Sequence, residues 1–359
     1  MAYTTVDDPT QNFNTIVWTG AGDSSARSFT GVGFQPDWVW YKSRSETYNN
    51  NFVDSVRGVG ADKELVANTS GPEGNGDSST HGYLSSFDTD GFSSTNGSSN
   101  NLEFNQNSET FVAWNWKVGT SFSNDASATS VGTIDSSGKV DTPGAVSIVS
   151  WTGTGSAGTI KHGLSTTPKM IWVKRRDADD TWWTYNETIG NGAYLALNSN
   201  AAKNTSGASG LWNSTSPTSS VFSVGTNTGV NGSGGTYIAY CFADVKGYSK
   251  IGSYTGNGNA DGQFIYTGFL PAWSIVKPVD VTQNWQIHDL KRLGYNVKNY
   301  NLSSNSTAAE AENDFMDIVS NGFKIRRADV LNVSGDTYIY MAFAESPFTN
   351  SSGVPNNAR

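Results

Sequence analysis

Three stretches of the chain open, continue and close with the same residues, and that recurrence constrains the fold more than any other feature. Residues 17–20 read Val-Trp-Thr-Gly, residues 149–153 Val-Ser-Trp-Thr-Gly, and residues 252–256 Gly-Ser-Tyr-Thr-Gly. Ten to twenty residues later in each case, a proline introduces a segment that ends in lysine: Pro36 to Lys42, Pro168 to Lys174 and Pro271 to Lys277. Each stretch closes on an aromatic run. These are Thr110-Phe111-Val112-Ala113-Trp114-Asn115-Trp116, Thr236-Tyr237-Ile238-Ala239-Tyr240-Cys241-Phe242 and Thr337-Tyr338-Ile339-Tyr340-Met341-Ala342-Phe343. A further landmark precedes that run, Asp90-Gly91-Phe92 in the first stretch and Asn321-Gly322-Phe323 in the third, with Val221-Phe222 in its place in the second.

Ordered landmarks recurring three times divide the chain into an N-terminal arm (1–13), a first unit (14–120), a Ser/Thr-rich linker (121–144), a second unit (145–247), a third unit (248–348) and a C-terminal tail (349–359). The short junction between the second and third units implies a packed interface. The closing runs are apolar at nearly every position, which suits strands covered on both faces. Asn-Gly and Asp-Gly pairs, such as Asp90-Gly91 and Asn321-Gly322, favour hairpin turns with positive φ. Helical signal is scarce, and the best candidate is Ser306 to Glu312, where Ser306 can cap a run of Ala and Glu. The expected fold is all-β, with tandem β-sandwiches of jelly-roll or lectin-like type and very little helix.

Composition agrees with strands and excludes several functions. The 359 residues include 39 Gly, yet also 12 Trp, 15 Tyr and 17 Phe, far more aromatic surface than a disordered chain carries. A net charge of −9 argues against a nucleic-acid partner, because neutralising phosphate supplies most of that affinity. No apolar run reaches the roughly 18 residues of a membrane helix, so no membrane insertion is expected. The N-terminal residues offer neither a basic start nor a hydrophobic stretch, so no classical signal peptide is expected. The single cysteine, Cys241, cannot form an internal disulfide, which points to synthesis in a reducing compartment.

Candidate chemistry is sparse. His81, His162 and His288 fall at different points of the repeat. They read as turn, packing or surface residues, with no catalytic base, zinc site or nucleophile elbow among them. Asp177, Asp179 and Asp180 precede Trp182-Trp183, and acids beside aromatic platforms are what a glycosidase uses. The same stretch also reads as a solvated hairpin tip. The run 256–262 resembles a calcium loop in composition but has one carboxylate where such loops have several. No cofactor is expected.

Most tryptophans occupy recurring strand positions and read as core. Trp182, Trp183, Trp212 and Trp285 lie at hairpin or strand ends and are the candidate surface-binding residues. Adjacent residues on a strand point to opposite faces, so one ring of the Trp182-Trp183 pair is expected outside, available to a sugar or another subunit.

The Trp-Thr-Gly and Ser-Tyr-Thr-Gly openings, the proline-to-lysine strand and the ending Thr337 to Phe348 resemble a repeat family. That family occurs in virion proteins of marine tailed bacteriophages, those of cyanobacteria and other abundant marine bacteria. The resemblance covers most of the chain and is strongest in the third unit, through Asn356-Asn357-Ala358-Arg359. His162-Gly163-Leu164 with Pro168 looks like a variant of the family's turn. The family carries no established catalytic residues to transfer. The resemblance implies a non-enzymatic virion structural protein, foremost a tail fibre, spike or appendage component, assembled in the host cytoplasm. Implied partners are other virion proteins, further copies of itself (a trimer for a fibre) and a host-surface glycan or protein. The alternatives are a capsid decoration or head fibre protein gripping through residues 1–13 or the linker, and, in a different class, a glycan depolymerase.

Overall fold

The computed structural model describes residues 3–22, 25–292, 296 and 298–356; residues 357–359 of the tail and 1–2 of the arm lie outside the described residues. The protein is all-β, with antiparallel sheets and only short helical turns. In the first unit β1 (Phe13–Thr19), β2 (Arg27–Thr30), β3 (Trp38–Ser43), β4 (Asn51–Asp54), β5 (Leu65–Val66), β6 (Tyr83–Asp88), β7 (Gly91–Thr95) and β8 (Thr110–Trp116) form two sheets, ordered β1-β8-β3-β4-β5 and β2-β7-β6.

The segment expected to be a linker is instead a hairpin. Its strands β9 (Thr120–Asn124) and β10 (Ser136–Val140) add to the edge of the second unit's sheet through β11 (Val146–Thr152). Ser136, Ser137 and Gly138 of β10 alternate buried with exposed, whereas the edge strand β9 is mostly exposed, and half-covered strands near a sheet edge tolerate a Ser/Thr-rich composition. That unit continues with β12 (Gly158–Lys161), β13 (Met170–Arg175), β14 (Trp183–Asn186), β15 (Leu195–Ala196), β16 (Val221–Val224) and β17 (Thr236–Phe242). The orders are β15-β14-β13-β17-β11-β10-β9 and β12-β16.

The third unit contains β18 (Ser249–Thr255), β19 (Phe264–Tyr266), β20 (Phe269–Pro278), β21 (Gln286–Asp289), β22 (Lys298–Ser303), β23 (Ala311–Val319), β24 (Gly322–Ile325) and β25 (Thr337–Pro347). Here one sheet runs β18-β25-β20-β21-β22-β23-β24-β19 and folds over on itself. Residues 306–310 carry no helix and lead directly into β23. They are pinned to the first unit, where Arg44 forms an ion pair with Glu310 at 2.9 Å and the Lys42 ammonium donates to the Thr307 carbonyl at 2.9 Å. Those tertiary contacts outweigh a weak helical propensity.

The closing strand sits at the same place in each unit. Trp40 pairs with Trp114, Trp172 with Tyr240, and Ile275 with Met341. One step along, Trp38 pairs with Trp116, Met170 with Phe242, and Trp273 with Phe343. The recurring Thr-Gly has a steric cause. A Cβ on Gly20, Gly153 or Gly256 would stand 1.9, 2.2 or 2.1 Å from a backbone carbonyl oxygen of the loop before the closing strand. Only glycine allows that approach.

Each closing strand has two apolar faces because it serves two cores. In the first unit Ala113 packs with Phe29, Val39 and Phe92 inside the sandwich, whereas Val112, Trp114 and Trp116 point the other way. The second and third units divide in the same manner, Ala239 and Cys241 against Ile238, Tyr240 and Phe242, and Ala342 and Ala344 against Ile339, Met341 and Phe343. The outward-turned faces of all three sheets meet in one shared core. Trp116 and Phe242 both contact Phe343, at ring separations of 5.7 and 6.4 Å, and Trp40 meets Trp172 at 6.2 Å and Trp273 at 6.0 Å.

The arm and tail are held against the body. Thr4 donates to the Lys246 carbonyl at 2.7 Å, Tyr3 to that of Gly268 at 2.8 Å, and the Ser351 backbone N–H to Asp7 at 2.6 Å. Asn356 donates to the Ser320 carbonyl at 2.9 Å.

Candidate functional site

The residues singled out as possible surface binders are mostly structural. Trp182, Trp212 and Trp285 are 0%, 2% and 0% exposed, which removes them from any surface. Trp182 lies in the shared core, where its indole N–H donates to the Val66 carbonyl of the first unit at 2.9 Å. Trp285 donates to the Ala196 carbonyl of the second unit at 2.9 Å, and Asn50 to the Ser303 carbonyl of the third at 3.1 Å. Val66, Ala196 and Ser303 occupy the same register beside their neighbouring strands, so the three bonds are equivalent. Trp212 fills the second sandwich and donates to the Ala193 carbonyl at 3.1 Å. Of the Trp182-Trp183 pair, Trp183 is the outer ring, half-buried, edge-on to Tyr194 at 4.9 Å and bonded to Asp180 at 2.9 Å.

Lysines at the end of the proline-initiated strands join the same girdle. Lys42 reaches the Thr307 carbonyl, Lys174 that of Ser70 at 2.9 Å and Lys277 that of Asn200 at 3.3 Å. Each lysine therefore donates to the neighbouring unit. Burial pushes the three ammonium groups down, Lys42 to about 7 and Lys174 and Lys277 to about 8.

Charged pairs complete two of the three joints. Asp54 bonds Arg57 at 2.6 Å, and Glu73 joins Arg57 at 3.5 Å to Arg176 of the second unit at 2.5 Å. Asp289 bonds Arg292 at 2.5 Å, and Glu310 joins Arg292 at 2.6 Å to Arg44 of the first unit. At the third joint the register position of Asp54 and Asp289 is held by Asn186, and the ion pairs there include Lys203 with Asp280 at 2.7 Å and Lys250 with Asp244 at 2.8 Å.

The carboxylates before Trp182 are engaged locally. Asp177 pairs with Arg175 at 3.1 Å and accepts from the Thr236 backbone, and the Arg175 hydrogen bond holds its carboxyl below the ordinary range. Asp180 accepts from Trp183 and from the Thr181 backbone. In the loop 256–262, Asp261 pairs with Lys324 at 2.7 Å, while Asn257 and Asn259 bond Asn332 and the loop backbone. Among the described residues no group of three His, Cys, Asp or Glu side chains is placed to hold a metal ion. His162 is buried, accepts from the Leu164 backbone and contacts the Thr218 carbonyl, and burial lowers its imidazole to about 4. His288, expected at the surface, is buried and edge-on to Phe315 at 5.5 Å. Burial pushes the Cys241 thiol up to about 12.

The exposed chemistry lies elsewhere, on the third unit. Phe264 and Tyr266 are 45% and 54% exposed and straddle buried Ile265 on β19. Tyr266 also lines a cavity of about 380 Å³, together with Tyr3, Asp244, Lys246, Lys250 and Thr267. The hydroxyls of Tyr3 and Tyr266 are 3.0 Å apart, and the Lys246 ammonium lies 4.3 Å from the centre of the Tyr3 ring. Burial, then the bond to Tyr266, raises the Tyr3 phenol. Sequence reasoning passed over this group because its members come from the arm, the unit junction and β19. The alternation of Phe264 and Tyr266 around Ile265 is the one local signal of it.

A family profile matches residues 8–347, and its description is a domain of unknown function (DUF7483). A search of curated proteins returns no match, and neither does a search of solved structures.

Proposed function

The chain belongs to that family, and we propose, on the resemblance of its recurring landmarks to virion proteins, that the protein is a non-enzymatic structural component of a bacteriophage virion. In this reading it is part of a tail fibre, spike or other tail appendage and presents loops to the host surface. The observation that carries the reading is the closed girdle: each sandwich donates hydrogen bonds to its neighbour, the second to the first, the first to the third and the third to the second. A body so interlocked needs no disulfide to survive outside a cell, and its strand ends leave three sets of loops for contact. Weak sites repeated over a virion gain avidity when the target is repetitive. One chain already supplies the threefold repetition that a fibre draws from three chains, so homotrimerisation is not required to generate it. The sequence resemblance to virion proteins of marine tailed phages supports the same reading.

Immunogold labelling of intact virions from a phage encoding the chain tests it. Gold on the tail is the expected result. Gold over the capsid would replace the tail reading with decoration, and no gold at all would return the glycan depolymerase.

A further inference from the structure

We propose that the cavity between the N-terminal arm and β19 binds an anionic pyranose, a sugar carrying a carboxylate or a sulfate, with Tyr266 in its wall and Phe264 two residues along the same strand face as stacking platforms and Lys246 as the charge-reading group. This deepens the host-binding reading and rests on it for its biological meaning.

The argument begins with what the chain does with its other rings. Among the described residues, Phe264, Tyr266 and Tyr300 are the exposed aromatic side chains, and the other described rings are buried or half-buried. Leaving a ring in water forfeits the free energy of burying it, so two exposed rings side by side call for a partner. Residues two apart on a strand project from the same face about 7 Å apart. That spacing suits successive flat sugar faces, whose C–H groups pack on rings. Tyr3 and Tyr266 add two hydroxyls beside the rings, and the Tyr3 hydroxyl is already anchored on the Gly268 carbonyl.

Charge then narrows the sugar class. Asp244, the carboxylate lining the cavity, is committed to Lys250 at 2.8 Å, to Lys169 at 3.4 Å and to the Ile251 backbone N–H. Lys246 enters no ion pair among the described residues and rests against the Tyr3 ring. A cavity wall carrying an ammonium that enters no ion pair among the described residues favours an anion at that point.

Calorimetric titration of the full-length protein with three hexasaccharides tests the proposal: an oligouronate, a sulfated galactan and a neutral glucan. The expected result is binding of at least one charged probe in preference to the neutral one. Which of the two charged probes binds identifies carboxylate or sulfate. Tyr266→Ala should weaken binding roughly tenfold, the loss of one good ring contact. Lys246→Gln should abolish the preference for charge while leaving residual affinity. Both side chains sit at the surface, and circular dichroism checks that the variants fold. Binding of none of the probes, or binding unchanged by Tyr266→Ala, overturns the site. Gold on the virion tail without saccharide binding defeats the site alone, and saccharide binding without gold on virions defeats the virion reading alone.

Discussion

The hydroxyl of Tyr240 donates to Oδ2 of Asp54 across the joint between the second and first units, at 2.7 Å, with both residues buried. Trp114 does the same for Asp289 across the joint between the first and third units, its indole N–H donating at 2.9 Å. Tyr240 and Trp114 share a register position on their closing strands, and the third residue of that set is Met341, which has no proton to give. Opposite it the acid is replaced by Asn186. Donor and acid occur together at two joints, and both are absent from the third.

Tyr240→Phe leaves Asp54 bonded to Arg57 but without the phenol donor. The expected loss is about 1–3 kcal/mol of unfolding free energy, measured by denaturant titration. Met341→Leu, at the matching position, changes volume little and should cost less than about 1.5 kcal/mol.

Gly153→Ala places a methyl 2.2 Å from the Gly232 carbonyl oxygen, so the loop before β17 must move. A loss of about 3 kcal/mol is expected in the same titration. Gly192→Ala is the contrast, because nothing lies within 4 Å of its added Cβ. It should be neutral or stabilise by up to about 1 kcal/mol through the unfolded chain.

Asp141 reports on burial. Its Oδ1 accepts from the backbone of Ala145 and Val146, its Oδ2 is buried without a partner among the described residues, and burial raises its carboxyl to about 7. The folded state thus favours the protonated form more than the unfolded chain does. The stability it contributes is complete below the unfolded value near 4 and is lost as pH rises through 7. Asp141→Asn does not titrate, so its stability relative to the parent should climb between pH 4 and pH 8. A constant difference across that range would sink the assignment.

The tryptophan doublet separates core from surface. Trp182→Ala opens the shared core and should cost about 3–5 kcal/mol. Trp183→Ala removes a half-buried ring and should cost markedly less, with the two compared by thermal melts.

The recurring landmarks determined by sequence alone where the strands lie, that the fold is all-β and where each closing strand sits. Thr-Gly pairs are local steric requirements, and two-residue alternation assigns side chains to opposite faces whatever surrounds them. The asparagines Asn105, Asn231 and Asn332 also recur, each five residues before the threonine that opens the closing strand, but their role emerges only in the structure. Their carbonyls accept from Gly22, Gly155 and Gly258 in turn. The sequence could not show what covers the second face of Trp114, Tyr240 or Met341, because an apolar face reads the same against its own sandwich or against another unit. Only the tertiary structure decided that these faces meet in one core, that Trp182 and Trp285 turn inward, that residues 120–140 pair as a hairpin and that 306–310 form no helix. Each of those outcomes depends on partners far away in the chain, and their packing energy outweighs the local preferences that sequence encodes.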